Sequence, residues 1–219
     1  MSHEKVRDTF DRWAADGRDA GMEREHGDVG RQVIARLGIR PGEQILDLGC
    51  GNGWATRLLA QAAAGATAIG VDVSPRMIAR AEELHSLTIR ARYELAAFEN
   101  LGFRDARFDR VFSVEALYYA LDLGKALGEA LRVLKPGGRL DVVVDFFAES
   151  PSTRVWPEHT GLEMRYLSTH QWIEALESAG FGEVRAERLF DTRPEVVADP
   201  AHAASKRDGS LWLSARRPA

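Results

Sequence analysis

Apolar residues in the first forty positions recur at helical spacing. Val6, Phe10 and Trp13 share one face of a helix predicted over residues 3–15. Val29, Val33, Ile34 and Leu37 form the apolar face of a second helix, stopped by Gly38 and Pro41. The charged run at 21–26, which ends in His26, is expected just ahead of it. The period then changes. QILDL at 44–48 is nearly all apolar and runs into a glycine-rich turn, followed by a helix over 54–63. TAIGVDV at 67–73 reads as a second buried strand, and Ser74 can cap a helix whose first position is Pro75. Strands are predicted over 88–95 and 108–114, then a helix over 122–134 closed by the breaker cluster LKPGG. A strand over 139–147, a helix over 168–179 capped by Ser168, and strands over 181–190 and 209–216 complete the pattern. Strands alternating with helices need crossover connections, which give a mainly parallel sheet. Two stretches break the rhythm, 148–167 and 191–208. Long ordered connections of this kind tend to carry function.

Composition narrows the class. The chain has 219 residues, 45% of them hydrophobic, with no repeat and no Ser/Pro/Gly-rich linker, so one α/β domain over 1–219 is expected. Its net charge of −4 argues against a nucleic-acid partner, which calls for a basic face. The single cysteine, Cys50, can make neither an internal disulfide nor a Cys-rich zinc site, so a reducing, cytoplasmic setting is expected. The N-terminus lacks the apolar core of a signal peptide, and no apolar run approaches the roughly 18 residues that span a bilayer.

The first chemistry lies at the glycine turn. G-C-G-N-G at 49–53, between a strand and a helix, lets the backbone turn sharply and approach a ligand. Asp72 ends the next strand, 19 residues after Gly53, where nucleotide-binding α/β folds place an acid for ribose hydroxyls. A dinucleotide fingerprint would have glycine or alanine at the third position, but Trp54 stands there. Asp47, just before the turn, would repel a pyrophosphate and suit a cation. Both features point away from NAD.

ILDLGCGNGWATRLLA (45–60) resembles the first motif of class I S-adenosylmethionine-dependent methyltransferases, and GVDVSPRMIARAEE (70–83) the second. FDRVFSVEALYYALD (108–122) and LRVLKPGGRL (131–140) are similar to the motifs of the fourth and fifth strands. The resemblance spans about 40–147 and is nearest to the group that holds quinone-biosynthesis and sterol C-methyltransferases. It implies a Rossmann-like, seven-stranded, mostly parallel sheet with the last strand antiparallel and helices on both faces. It also implies S-adenosylmethionine as cofactor, S-adenosylhomocysteine as product, and in-line methyl transfer to a small organic acceptor. By that resemblance Asp47, Gly49, Gly51 and Gly53 line the methionine and ribose side, Asp72 holds the ribose, and Val73 and Met77 pack near the adenine. Where the family places an acid for the adenine amine this chain has Ala97, in AAFENLGF (96–103); the Phe98 backbone and Glu99 are the local substitutes. Ser113 and the segment after it, with Glu115, Tyr118 and Tyr119, face the reactive-methyl end. A non-catalytic S-adenosylmethionine binder is the alternative, and an NAD-dependent oxidoreductase a more distant one.

A general base is needed only when the acceptor must lose a proton near the transition state. The resemblance makes the N-terminal segment, 1–28, a lid and the 148–167 insertion an acceptor wall. Candidates for the acceptor end are therefore His26, His159 (with Trp156 and Glu158), Tyr118, Tyr119 and Asp145 near the end of the fifth strand. No metal is expected, because His159 and Glu163 alone do not make a site. His3, His85, His170 and His202 stand in no evident constellation, and 201–208 reads as a solvated connection.

Overall fold

The computed structural model describes residues 2–197 and 203–219. One sheet is built from β1 (Gln44–Leu48), β2 (Thr67–Asp72), β3 (Ala91–Leu95), β4 (Phe108–Val114), β5 (Leu134–Val144), β6 (Gly182–Leu189) and β7 (Ser210–Arg216). Their spatial order is β3-β2-β1-β4-β5-β7-β6. The pairs from β3 across to β5 are all parallel, whereas β7 runs antiparallel to both β5 and β6. The expected seven-stranded sheet with its last strand reversed is what forms.

Alternation along the strands divides the core into two layers, because successive side chains point to opposite faces. Leu46, Leu48, Val111 and Val142 pack on one face with Leu127 and Trp172; Ile45, Phe112 and Val143 pack on the other with Val33 and Leu59. The helices supplying these layers include α2 (Asp19–Arg36), α3 (Trp54–Gln61), α5 (Leu123–Val133) and α7 (Thr169–Ser178). Two further helices, α1 (His3–Ala15) and α4 (Pro75–Glu83), pack against each other. Ser74 caps α4 as expected, its Oγ accepting from Met77 N at 3.0 Å, and Ser168 forms a full capping box with Gln171 on α7.

The structure differs from the expectations in four places. First, α2 begins at Asp19, so His26 lies inside the helix rather than before it. Its glycines cost helix propensity, but Gly30 admits the Trp54 ring: a Cβ there would sit 2.5 Å from Trp54 Cη2. Second, LKPGG does not separate α5 from the next strand. β5 starts at Leu134, and the pairing with β4 shifts between Phe108 and Arg110 to absorb the Pro-Gly-Gly. Third, β5 ends at Val144, and Phe146 and Phe147 are buried in the core instead. Fourth, the two long connections are partly helical. Residues 148–167 hold a 3-10 turn (Pro151–Val155) and α6 (Trp156–Thr160), and 191–208 hold α8 (Pro194–Val197) and α9 (Ala203–Asp208).

Candidate functional site

At the carboxyl ends of β1, β2 and β4 lies a cavity of about 710 Å³, including its mouth. Open α/β sheets bind ligands at this end. Gly49, Gly51 and Gly53 adopt φ of 75°, 51° and 79°, a left-handed backbone that strains any residue with a side chain. At Gly49 a Cβ would fall 2.3 Å from the Ala116 Cβ. At Gly51 it would face the cavity, with only Met22 Cε at 4.0 Å, so bare backbone forms that part of the floor.

Asp72 stands beside this floor. Its Oδ2 accepts from Gly51 N and its Oδ1 from Ser74 N, each at 2.9 Å. Burial pushes the carboxyl up to about 6, against the lowering effect of those backbone donors. Val73 and Phe98 form an apolar wall shared with a smaller recess that reaches Glu99. Glu99 is buried; Oε1 accepts from Asp122 N at 3.1 Å, and Oε2 has no hydrogen-bond partner among the described residues, although His3 Nε2 lies 3.6 Å away. An unpaired buried acceptor beside an apolar slot suits the amine edge of an adenine. The roof comes from the N-terminal helices: Val6 and Phe10 on α1, and Asp19, Met22 and His26 on α2.

The other end of the cavity holds an acid–base cluster assembled from four elements. His26 Nδ1 lies 3.0 Å from Asp145 Oδ2, just beyond β5, and 3.8 Å from Glu115 Oε2, just beyond β4. Glu115 has φ 54°, unusual for a residue with a side chain. It accepts from Asp145 N at 2.6 Å and from the Tyr118 hydroxyl at 2.9 Å. Burial, then the charge of Asp145, pushes Glu115 up to about 8. Burial acts the same way on Asp145, but the hydrogen bond and charge of His26, with the charge of Lys206, bring it down to about 2. Burial alone would depress His26; the Glu115 and Asp145 carboxylates outweigh it and raise the imidazole above 6.5, while Lys206 opposes them. With Nδ1 committed to Asp145, Nε2 is the nitrogen left to take a proton.

His26, Glu115 and Asp145 also bring ligand-type atoms within 4.8 Å of one another. His26 Nδ1 and Asp145 Oδ2 already bond each other, and the Lys206 ammonium stands 3.6 Å from that Asp145 oxygen.

Among the sequence candidates, Gly49, Gly51, Asp72, Val73, Phe98, Tyr119 and His26 line the cavity, and Asp145 joins it through His26. Others stand behind it. Asp47 is fully buried and accepts from Thr56 Oγ1 at 2.6 Å, its carboxyl pushed by burial to about 7, so it braces α3 and is not itself on the lining. Gly53 faces the Tyr93 ring, Met77 is core, and Ser113 donates to Leu48 O at 2.9 Å. Tyr118 is buried against Tyr119 and Phe146 and reaches the cluster only through Glu115. His159 is exposed on α6 with Glu158: the helix turns its Trp156 inward, stacked on Phe146 and edge-on to His26, and leaves the histidine outside. His202 lies outside the described residues. Sequence reasoning missed Lys206, which sits in a stretch that reads as solvated, and gave Glu115 no chemical part.

Residues 46–142 match the model of a methyltransferase domain. The chain is 33% identical over 171 residues to 2-methyl-6-phytyl-1,4-hydroquinone methyltransferase of Synechocystis, covering 73% of this chain and 53% of that protein. It spans about half the length of the curated relatives it matches. Among solved structures, a chain from the complex between the Haloferax volcanii Trm112 methyltransferase activator and a methyltransferase superposes with a TM-score of 0.88 and 31% identity, over 96% of this chain and 98% of that one. An S-adenosylmethionine dependent methyltransferase from Mesorhizobium loti gives 0.70 and 25%, over 85% and 96%. The chain belongs to the S-adenosylmethionine-dependent methyltransferase family. No helix among the described residues is long and apolar enough to cross a membrane.

Proposed function

We propose that this chain, acting as one domain in a reducing cytoplasm, methylates a small organic acceptor that loses a proton on reaction. The observation that carries this reading is the His26–Asp145 pair, set in the same cavity as the glycine floor and Asp72. S-adenosylmethionine, when bound, supplies an electrophilic methyl group on a sulfonium. Gly49, Gly51, Asp72, Val73, Phe98 and Glu99 would hold it. The residues of the chain do the rest. His26 takes the acceptor's proton at Nε2, Asp145 accepts from Nδ1–H and stabilises the imidazolium, and the α1 and α2 roof excludes water. No resident metal has a part in this scheme. A non-catalytic binder would have no use for a half-buried base lining its cofactor site.

An accessory protein is proposed on separate grounds. The Haloferax relative was solved with an activator, and here the outer edge of β3 pairs with no strand among the described residues, with Leu95 on β3 and Leu87 just before it, 61% and 99% exposed.

The test is a melting experiment with S-adenosylmethionine, S-adenosylhomocysteine and NAD, each at about 100 times its dissociation constant, where a specific ligand adds about 2.7 kcal/mol. Stabilisation by the first two and not by NAD is expected. A shift with NAD alone would overturn the cofactor. A Trm112 protein added to the same mixtures should raise the melting point further; no change would remove it as a partner. Once an acceptor is found, His26→Asn should cut kcat about a hundredfold or more and leave cofactor affinity unchanged. Full activity in that variant would exclude His26 as the base.

A further inference from the structure

Lys206 is buried to 5% exposure, although α9 is otherwise a polar surface helix. Lysine is almost never fully buried without partners. Its Nζ donates to the Glu25 carbonyl at 2.5 Å, and lies 3.6 Å from Asp145 Oδ2 and 3.9 Å from Asp191 Oδ2. The ammonium thus touches the backbone of α2 one residue before His26 and the carboxylate that His26 bonds. Asp191, which follows β6, is itself held by Arg193 at 2.6 Å, and Arg193 donates in turn to the Arg24 carbonyl at 2.7 Å. Two cations from the segment after β6 therefore grip successive carbonyls of α2, at 24 and 25.

We propose that Lys206 is a positioning residue that locks the helix carrying the base to the carboxylate that orients it. The inference rests on the proposed role of His26. The groups facing His26 are Glu115 after β4, with Tyr118 bonded to it; Asp145 after β5; and Lys206 on α9, with Asp191 behind it. Lys206 is the cation of this set. Its charge favours ionised Asp145 and disfavours imidazolium, which tempers the upward pull of the two carboxylates on His26. The tether to Glu25 O fixes where Nδ1 meets Asp145, so the proton stays on Nδ1 and Nε2 stays open.

The test is the titration of the His26 imidazole in the full chain, followed by NMR and assigned by the signal lost in His26→Asn. In Lys206→Met the His26 midpoint should rise by about half a pH unit or more, whereas Lys206→Arg, which keeps the charge, should titrate with the wild type. If Lys206→Met does not fold, Lys206→Gln keeps a donor for Glu25 O and removes the charge, and the same rise is expected. An unchanged midpoint in the folded neutral variant, or Lys206→Arg titrating like it, would overturn the proposal. A lysine that merely ties α9 down would leave the midpoint where it is. Because the titration needs no acceptor, its failure is distinct from a failure of His26 as the base, which the turnover of His26→Asn reports.

Discussion

Single residues divide the cavity into a part written locally and a part written at a distance. Asp72 is local: it follows the glycine turn within one strand–helix–strand unit, and it accepts from Gly51 N and Ser74 N while lining the cavity. Asp72→Ala should weaken S-adenosylhomocysteine binding at least tenfold, about 1.4 kcal/mol. An unchanged dissociation constant by calorimetry would rule out the proposal that it accepts from the ribose. This half of the site was legible because spacing along one unit fixes position in space. At the other end His26 and Asp145 could each be named as candidates, but their pairing was not legible. His26 and Asp145 are 119 positions apart, and only the sheet order brings the ends of β4 and β5 beneath α2. His26 and His159 looked alike as lone histidines beside acids; they differ because α2 roofs the cavity while α6 points its tryptophan inward. Lys206 stands among small and charged residues, and nothing in that composition distinguishes a buried ammonium from a solvated one.

At the scale of elements, periodicity located the strands and most helices, because burial on one or two faces writes itself into the sequence. It failed for the first half of α2, whose charged residues serve as a roof and not as core. The α2–α3 contact explains why the helix can carry glycine: Gly30 is the slot for Trp54, and the Arg31 guanidinium lies 5.9 Å from the Trp54 ring centroid. Gly30→Val should overpack this contact and cost about 1–3 kcal/mol, read as a lower urea midpoint. A midpoint at the wild-type value would mean that α2 shifts freely, and the roof would then be looser than its packing implies.

For the whole molecule, the cavity makes stability depend on pH. Glu115, Asp47 and Asp72 have folded-state values of about 8, 7 and 6, above the 4.5 and 3.8 of unperturbed carboxyls. A carboxyl raised on folding ionises at a cost to the folded state, so stability falls as pH climbs from that ordinary range through those values. His26, also raised, adds stability below 6.5 that is lost as pH passes its folded value, which is the same direction. Asp145 runs the other way, but its contribution is lost only as pH falls from 3.8 through about 2. The ligand-free protein should therefore melt lower at about pH 8 than at about pH 6. S-adenosylmethionine should stabilise it more at the higher pH, because its sulfonium favours the ionised carboxylates, and uncharged-sulfur S-adenosylhomocysteine should show less of this effect. A melting point flat across that range would show that the carboxyls at and behind the cavity are not perturbed.

The reversed strand has a consequence for how the protein is assembled. β7 joins β5 to β6, and its pairs with β5 run from Val144–Leu211 to Arg139–Arg216, 67 to 77 positions apart in sequence. Until it docks, both neighbours present naked hydrogen-bonding edges beside the vacant seats of Leu211 and Leu213, which is the template on which chains stick to one another. Yield on refolding should therefore be limited by crowding among half-closed sheets, and dilution should rescue it more than time.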